Sequence, residues 1–351
     1  MPLRTVDIAG RTIGPGRPCW IIAEAGVNHN GSLDMARRLV DVAASARVDV
    51  VKFQTFKTER VITAYAPKAD YQLRTTDAAE SQYDMLRSLE LSPEAHHELV
   101  GYCQRKGILF MSSPFDEESA DFLEALGVPA FKIPSGEITN LPLLEHVGRK
   151  GRPMILSTGM STFGEVEAAV DTVYRTGNRD LVLLHCVSAY PADPKDVNLR
   201  AMSTMEVAFG IPVGYSDHTQ GIEVALAAVA LGAPVIEKHF TLDRQLPGPD
   251  HCASLEPGEL GRLVAGVRAV EAALGHGRKE PALCEAATAA VSRKSIVAAR
   301  PIRAGTRITR ELIAMKCPGS GLPPAMLGHI VGRAATQNIP ADALLSLDMV
   351  E

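Results

Sequence analysis

The sequence predicts an α/β chain: a (β/α)₈ TIM barrel followed by a small, mostly β domain. Three observations point there. Eight short apolar or β-branched runs alternate with amphipathic stretches, the pattern of parallel βα units. Nearly every run ends in a polar or charged residue, as the mouth of such a barrel requires. Past about residue 290 the pattern changes to short apolar-polar alternation punctuated by Pro and Gly.

The runs, in order, are WIIAEA from Trp20, DVVKFQ from Asp49, ILFMSS from Ile108 and AFKI from Ala130. PMILST from Pro153, LVLLHC from Leu181, PVGYS from Pro212 and PVIEKH from Pro234 complete the set. Eight units in one chain fit a closed barrel better than an open doubly wound sheet. Helix signals stand between them. Ser92 followed by Pro93 reads as an N-cap and first turn, opening a helix to about Lys106. Thr162 with Glu165 forms a capping box, and Val166, Ala169, Val170 and Val173 then recur at helical spacing. After Pro257, the residues Leu260, Leu263, Val264, Val267, Val270 and Leu274 mark the last barrel helix. The stretch 57–91 is long for a βα connection and reads as a lid or binding loop. The divisions are a barrel over 1–278, a linker over 279–291 and the small domain over 292–351. The last is marginal alone and is expected to pack on the barrel or on another subunit.

Composition narrows the class. A chain of 351 residues with 46% hydrophobic and 22% charged residues is an ordinary globular enzyme. A formal charge of −5 argues against nucleic acid as a partner, but not against a small anion held by a few buried cations. Six scattered cysteines without a C-x-x-C pair give neither a zinc knuckle nor a redox motif. No signal peptide and no stretch of membrane-spanning length is evident, so a cytoplasmic protein is expected.

The chemistry lies at the run ends: Glu24, Lys52 with Gln54, Ser112 and Ser113, Lys132 with Ser135, Ser157, His185, Ser216 with Asp217 and His218, and Glu237 with His239. Solvent-facing strand ends explain any one of these groups. They do not explain the set, because Lys and His inside runs such as VVKFQ and VIEKHF are costly without partners. Strand alternation puts Lys52 and Gln54 on one face, and Glu237 and His239 on one face, each pair directed into the mouth. Lys52 and Lys132 together suggest a positive pocket for phosphate and carboxylate. His218 and His239 follow neighbouring strands, so two imidazoles with water and substrate oxygens suit a borderline divalent ion. His185 and His251 compete for that role. A lysine in a barrel also admits a Schiff-base aldolase.

These motifs resemble one family, the sialic acid synthases, which includes N-acetylneuraminate, legionaminate and pseudaminate synthases. AEAGVNHNGS from Ala23 and VKFQTF from Val51 resemble its first two strand signatures; SSPFD, FKIPSGEITN, ILSTGM, HCVSAYP, GYSDHT, EKHFT and GPDH follow in the family's order. The C-terminal part is similar to the SAF (antifreeze-like, β-clip) module. The resemblance implies condensation of phosphoenolpyruvate with an N-acylated hexose, N-acetylmannosamine or a 2,4-diacetamido-trideoxyhexose, to a nine-carbon sugar acid. It implies a divalent metal, Mn²⁺ or else Mg²⁺ or Co²⁺, on His218 and His239, and phosphoenolpyruvate on Lys52, Lys132, Ser135, Ser157 and Ser216. Acceptor contacts fall to Gln54, Glu137, Tyr190 and Asp250, and the essential carboxylate to Glu24. A domain-swapped homodimer is implied too. Two positions depart from the family: Ser188 stands where some members have Asn, altering a phosphate contact. Cys317 stands where the usual Arg reaches the N-acyl group from the partner subunit, and a thiol offers no guanidinium fork. KADYQ with ESQYDMLRSLELS looks legionaminate-type. The alternatives are the Schiff-base aldolase and a non-catalytic carbohydrate-binding protein.

Overall fold

A computed structural model describes residues 4–77 and 79–351. The chain divides into two compact units, Met1–Gly275 and His276–Glu351. In the first, eight parallel strands form: β1 (Trp20–Gly26), β2 (Val50–Thr55), β3 (Leu109–Pro114), β4 (Phe131–Ile133), β5 (Met154–Ser157), β6 (Leu181–Cys186), β7 (Val213–Asp217) and β8 (Val235–His239). They hydrogen-bond in the order β3-β2-β1-β8-β7-β6-β5-β4. The outer two of that order, β3 and β4, also lie side by side, so the sheet is nearly closed as a barrel. Each predicted run lies within a residue or two of its strand.

The crossovers are helical and start where the chain supplies caps. Ser92 Oγ accepts from the Ala95 N–H ahead of α2 (Pro93–Lys106), which Gly107 ends in a left-handed turn with φ 69°. The Thr162–Glu165 capping box opens α5 (Phe163–Arg175). The others are α1 (Leu33–Ala46), α3 (Glu117–Leu126), α4 (Leu141–Arg149), α6 (Arg200–Phe209), α7 (Glu223–Ala230) and α8 (Pro257–Leu274). Outward strand residues such as Ile21, Phe53, Leu183 and Ile236 pack under them, against Leu39, Leu99, Leu144 and Leu260.

Inside the barrel the side chains sort by depth. The lower layer is apolar: Trp20, Ile22, Val50, Met111, Ala130, Ile155, Val182, Leu184 and Val235 cluster with Val6, Ile8 and Ile13 of an N-terminal hairpin that plugs this end. Two residues further along each strand, on the same face, the layer turns polar. Trp20 and Ile22 give way to Glu24, Val50 to Lys52, Ala130 to Lys132, Ile155 to Ser157 and Val235 to Glu237. The plug keeps water from below, and the charges sit at the mouth.

The 57–91 connection is ordered as three short helices, Thr58–Val61, Asp70–Thr75 and Gln82–Ser88. The 279–291 stretch, read as a linker, has local structure of its own. It carries a turn at Leu283–Glu285 and the helix Ala286–Ser292, because its alanines favour helix once a turn nucleates it. The second unit pairs Ser295–Ala298 antiparallel with Ile313–Lys316 around a core of Ile296, Ile302, Ile308, Ile330, Ile339 and Leu345.

Barrel closure has one point without slack. A Cβ on Gly214 in β7 falls 2.4 Å from the Val235 carbonyl oxygen of β8. Gly214→Ala is expected to lose about 1–3 kcal/mol by overpacking. Urea unfolding reads it, and unchanged stability contradicts this account of the β7–β8 contact.

Candidate functional site

Parallel register brings the polar ends together. His239 pairs with Glu24, and Glu24 with Lys52, across β8, β1 and β2. Glu237 pairs with Ser216, and Ser216 with Cys186, across β8, β7 and β6. These residues line a cavity of about 390 Å³ at the mouth. Of the predicted residues, Glu24, Lys52, Gln54, Lys132, Ser135, Ser157, Ser188, Tyr190, Ser216, His218, His239 and Asp250 line it, while Glu137 and the run-end residues Ser112, His185 and Asp217 do not.

At its floor four buried charges meet. Lys52 Nζ lies 2.5 Å from Glu24 Oε2 and 3.7 Å from Glu237 Oε2. Lys132 Nζ lies 3.2 Å from Glu237 Oε1. Lys52 also donates to Ser113 Oγ at 3.0 Å, Ser216 Oγ to Glu237 Oε1 at 2.9 Å, and Gln54 Nε2 to Glu24 Oε1 at 3.3 Å. Burial pushes the Glu24 carboxyl up to about 7 despite its lysine. Glu237 shares the burial, but both ammonium groups hold it down to about 2. The lysines divide as well. Burial opposes the charge of Lys52, yet Glu237 and Glu24 outweigh it and its pKa rises. Burial wins at Lys132, whose pKa falls.

Hydroxyl and backbone donors crowd beside the lysines. Gly159 N–H donates to Ser135 Oγ at 2.9 Å, and Ser135 Oγ is 3.0 Å from Cys186 Sγ. A Cβ on Gly159 falls 2.3 Å from Ser188 Oγ, 2.7 Å from Cys186 Sγ and 2.8 Å from Ser135 Oγ, so only glycine fits there. Among the described residues the buried Ser157 and Ser188 hydroxyls have no protein partner. Such a set suits an oxyanion.

The two histidines face each other above, ring centroids 5.5 Å apart. His218 Nδ1 lies 2.8 Å from the Val187 carbonyl, which only accepts, so the proton sits on Nδ1 and the Nε2 lone pair is free. His239 Nδ1 is buried without a hydrogen-bond partner among the described residues, 3.9 Å from Asp250 Oδ2. Burial lowers the pKa of both rings, keeping them neutral, and raises Asp250 to about 6. Among the described residues no cluster of three or more His, Cys, Asp or Glu side chains is placed to hold a metal. Two imidazoles fit an ion whose remaining positions go to substrate and water. Tyr190 packs on His218 with centroids 4.4 Å apart.

The competing histidines are accounted for elsewhere. His185 Nε2 bonds the Val197 carbonyl at 2.6 Å, and His251 meets Thr241 Oγ1 at 2.6 Å and Asn30 Oδ1 at 3.2 Å. Glu137 is half-buried on the Ser135–Glu137 turn, where Asn140 Nδ2 donates to it at 2.7 Å. It does not line the cavity, and its carboxylate is engaged by Asn140 instead. Sequence reasoning ranked Glu237 only as a strand-end residue; its place between two lysines had a signal in alternation with His239. Tyr71, stacked on Tyr190 at 5.2 Å, and Gln72 also line the cavity. They lie in the long connection, where no period places a side chain.

Fold and site together define a (β/α)₈-barrel enzyme with a floor of four buried charges beneath two neutral imidazoles. The chain belongs to the NeuB family, whose model matches residues 39–279, and a SAF domain matches residues 293–351. It is 48% identical over 342 residues to N,N'-diacetyllegionaminic acid synthase of Legionella pneumophila, covering 96% of each chain. It is 39% identical to human (Homo sapiens) N-acetylneuraminate-9-phosphate synthase, covering 100% of this chain and 98% of that one. Among solved structures it is similar to N-acetylneuraminic acid synthetase from Leptospira borgpetersenii, with TM-score 0.72 and 37% identity over 82% of this chain and 95% of that one.

The floor carries a stability prediction. Glu237→Ala strips the anion shared by two buried ammonium groups and is expected to destabilise by about 3–5 kcal/mol. Urea unfolding at pH 7 measures it, and a change below about 1 kcal/mol contradicts the shared-anion arrangement.

Proposed function

We propose that this chain is a nonulosonic acid synthase that condenses phosphoenolpyruvate with an N-acylated hexose aldehyde and releases phosphate. The observation that carries the reading is the four-charge floor, where Lys52 and Lys132 stand among unpartnered hydroxyls in a closed-bottomed barrel. The names of the relatives support it. The legionaminic acid relative favours the 2,4-diacetamido-trideoxyhexose over N-acetylmannosamine as acceptor. So does the wall of Val27, Tyr71, Leu86 and Phe115, apolar enough for acyl and deoxy methyl groups.

In the proposed reaction a bond forms between C3 of phosphoenolpyruvate and the aldehyde carbon. C2 then takes the oxygen of water, and its bond to the phosphate oxygen breaks as the keto acid forms. Lys52 and Lys132 bind the carboxylate and phosphate and steady the charge that develops there. Ser135, Ser157 and Ser188 donate to the same oxygens, and Ser216, whose hydroxyl proton goes to Glu237, lines the site beside them. Glu24, raised to about 7, takes the proton of the attacking water. Gln54, Tyr190, Asp250 and Glu137 orient the acceptor. His218 and His239 would hold a divalent ion, Mn²⁺ foremost, which supplies Lewis-acid polarisation of a carbonyl. A homodimer belongs to this proposal, supported by the exposure of Tyr65 (95%) and Met160 (73%), large apolar groups on connections at the mouth end. Six unpaired cysteines support a reducing, cytoplasmic setting.

Phosphate release from phosphoenolpyruvate with each hexosamine, with and without Mn²⁺, tests the reading. Turnover with the diacetamido sugar is expected, lost in chelated enzyme and in His218→Ala and His239→Ala. Release without metal removes the divalent ion from the reading, and a borohydride-trapped adduct on Lys52 or Lys132 sinks the reading in favour of the aldolase. The raised Glu24 carboxyl fixes the pH response: the base form grows as pH rises, so kcat/KM should climb about tenfold per unit below about 7 and then level. Glu24→Gln should lower kcat by about 10²–10⁴-fold. A flat profile from pH 5.5 to 8.5 rules out Glu24 as the base.

A further inference from the structure

The face of β7 and β8 turned away from the cavity holds a charge pair that the site does not use. Most outward positions elsewhere are apolar, yet Lys238 points outward at 1% exposure. Its Nζ donates to Asp217 Oδ2 at 2.6 Å and to the Thr219 carbonyl at 2.8 Å. Asp217 Oδ1 in turn accepts from Thr219 N at 2.9 Å, from Thr219 Oγ1 at 2.8 Å and from Tyr215 OH at 3.2 Å. Every polar atom of the pair is thus engaged. Such a pair is a poor source of stability, since burying both charges costs about what their attraction returns and an apolar pair does as well. Its value lies in defined geometry.

That geometry bears on the two imidazoles. Lys238 sits between Glu237 and His239, and Asp217 between Ser216 and His218. The register places Lys238 opposite Asp217, so one ammonium ties the two strands at the residues adjoining both rings. By holding the Thr219 carbonyl it also spans His218, fixing the chain on either side of that residue. The Ala192 N–H holds the His218 carbonyl at 2.9 Å, and the Val187 carbonyl holds its ring at 2.8 Å. On β8 the Leu255 N–H holds the His239 carbonyl at 2.9 Å. With these bonds made, what sets one imidazole against the other is the β7–β8 tie.

We propose that Lys238 and Asp217 are positioning residues that hold His218 and His239 at the mutual distance a shared divalent cation requires. The inference rests on the proposed metal role of those histidines. Groups beneath metal ligands alter affinity by about 10–100-fold, and these two act from beneath through the backbone.

The test is Mn²⁺ binding to the full chain, followed by the loss of the free-ion paramagnetic resonance signal. Phosphoenolpyruvate binding without metal is titrated calorimetrically on the same samples. The variants are Lys238→Met, the double variant Asp217→Asn with Lys238→Met, and His239→Ala. The double variant removes both charges, so it stays informative if the single one misfolds. Mn²⁺ affinity is expected to fall about 10–100-fold in the Lys238 variants, with phosphoenolpyruvate affinity kept within about twofold of the unmodified chain. Unchanged Mn²⁺ affinity in the double variant, while His239→Ala loses binding, overturns the positioning role and leaves the metal reading intact. A parallel fall in phosphoenolpyruvate affinity overturns it too, showing general loosening of the barrel. If the unmodified chain binds no Mn²⁺, or His239→Ala binds it equally, the metal reading fails and takes this inference with it.

Discussion

Two ammonium groups and two carboxylates, all buried within a few ångströms, impose the constraint from which the rest of the molecule follows. Lys52, Lys132, Glu24 and Glu237 have no bulk water to solvate them, so each needs the others. Two positive and two negative groups leave the floor near neutral, yet the distribution is uneven. Glu237 serves both lysines and is held ionised, while Glu24 is raised toward neutral pH by its burial. The floor therefore keeps one carboxyl ionised between two ammonium groups and one able to exchange a proton near neutral pH, the arrangement on which the proposed anion binding rests.

The scaffold can be understood as support for that cluster. An apolar layer and an N-terminal hairpin close the barrel below, so the charges face only the mouth. Register places Glu24 beside Lys52 and His239, and Glu237 beside Ser216. The glycine at 159 makes room for three donors at one point, where any side chain displaces them. Above, burial keeps two imidazoles neutral, the form in which nitrogen lone pairs can ligate a cation. Anion floor and imidazole pair are stacked in one cavity, which is what joining an anionic enol to an aldehyde demands.

Much of this was legible in the sequence because strands impose a period of two. Once DVVKFQ and PVIEKH are read as barrel strands, Lys52 with Gln54 and Glu237 with His239 must share an inward face. Strand positions and caps at Ser92 and Thr162 followed from equally local rules. What lay beyond sequence was set by tertiary contacts. Alternation says that Lys238 points outward, where a solvated lysine is the ordinary reading, and only the helices packed over β7 and β8 make it a buried partner of Asp217. Tyr71 comes from an irregular connection that acquires its position by stacking on Tyr190. Glu137 reads as a site residue by motif, and the hydrogen bond that Asn140 donates to it is a tertiary detail no motif gives. The 279–291 stretch looked featureless, yet part of it is helical.

The central claim, that the buried lysines bind a small polyanion, is tested most directly by calorimetric titration of phosphoenolpyruvate into metal-free protein and its Lys132→Met variant. The account predicts saturable binding at one molecule per chain, weakened at least about tenfold in the variant, where a charge-assisted contact is gone. Equal affinity in the two proteins, or no binding to either, contradicts it.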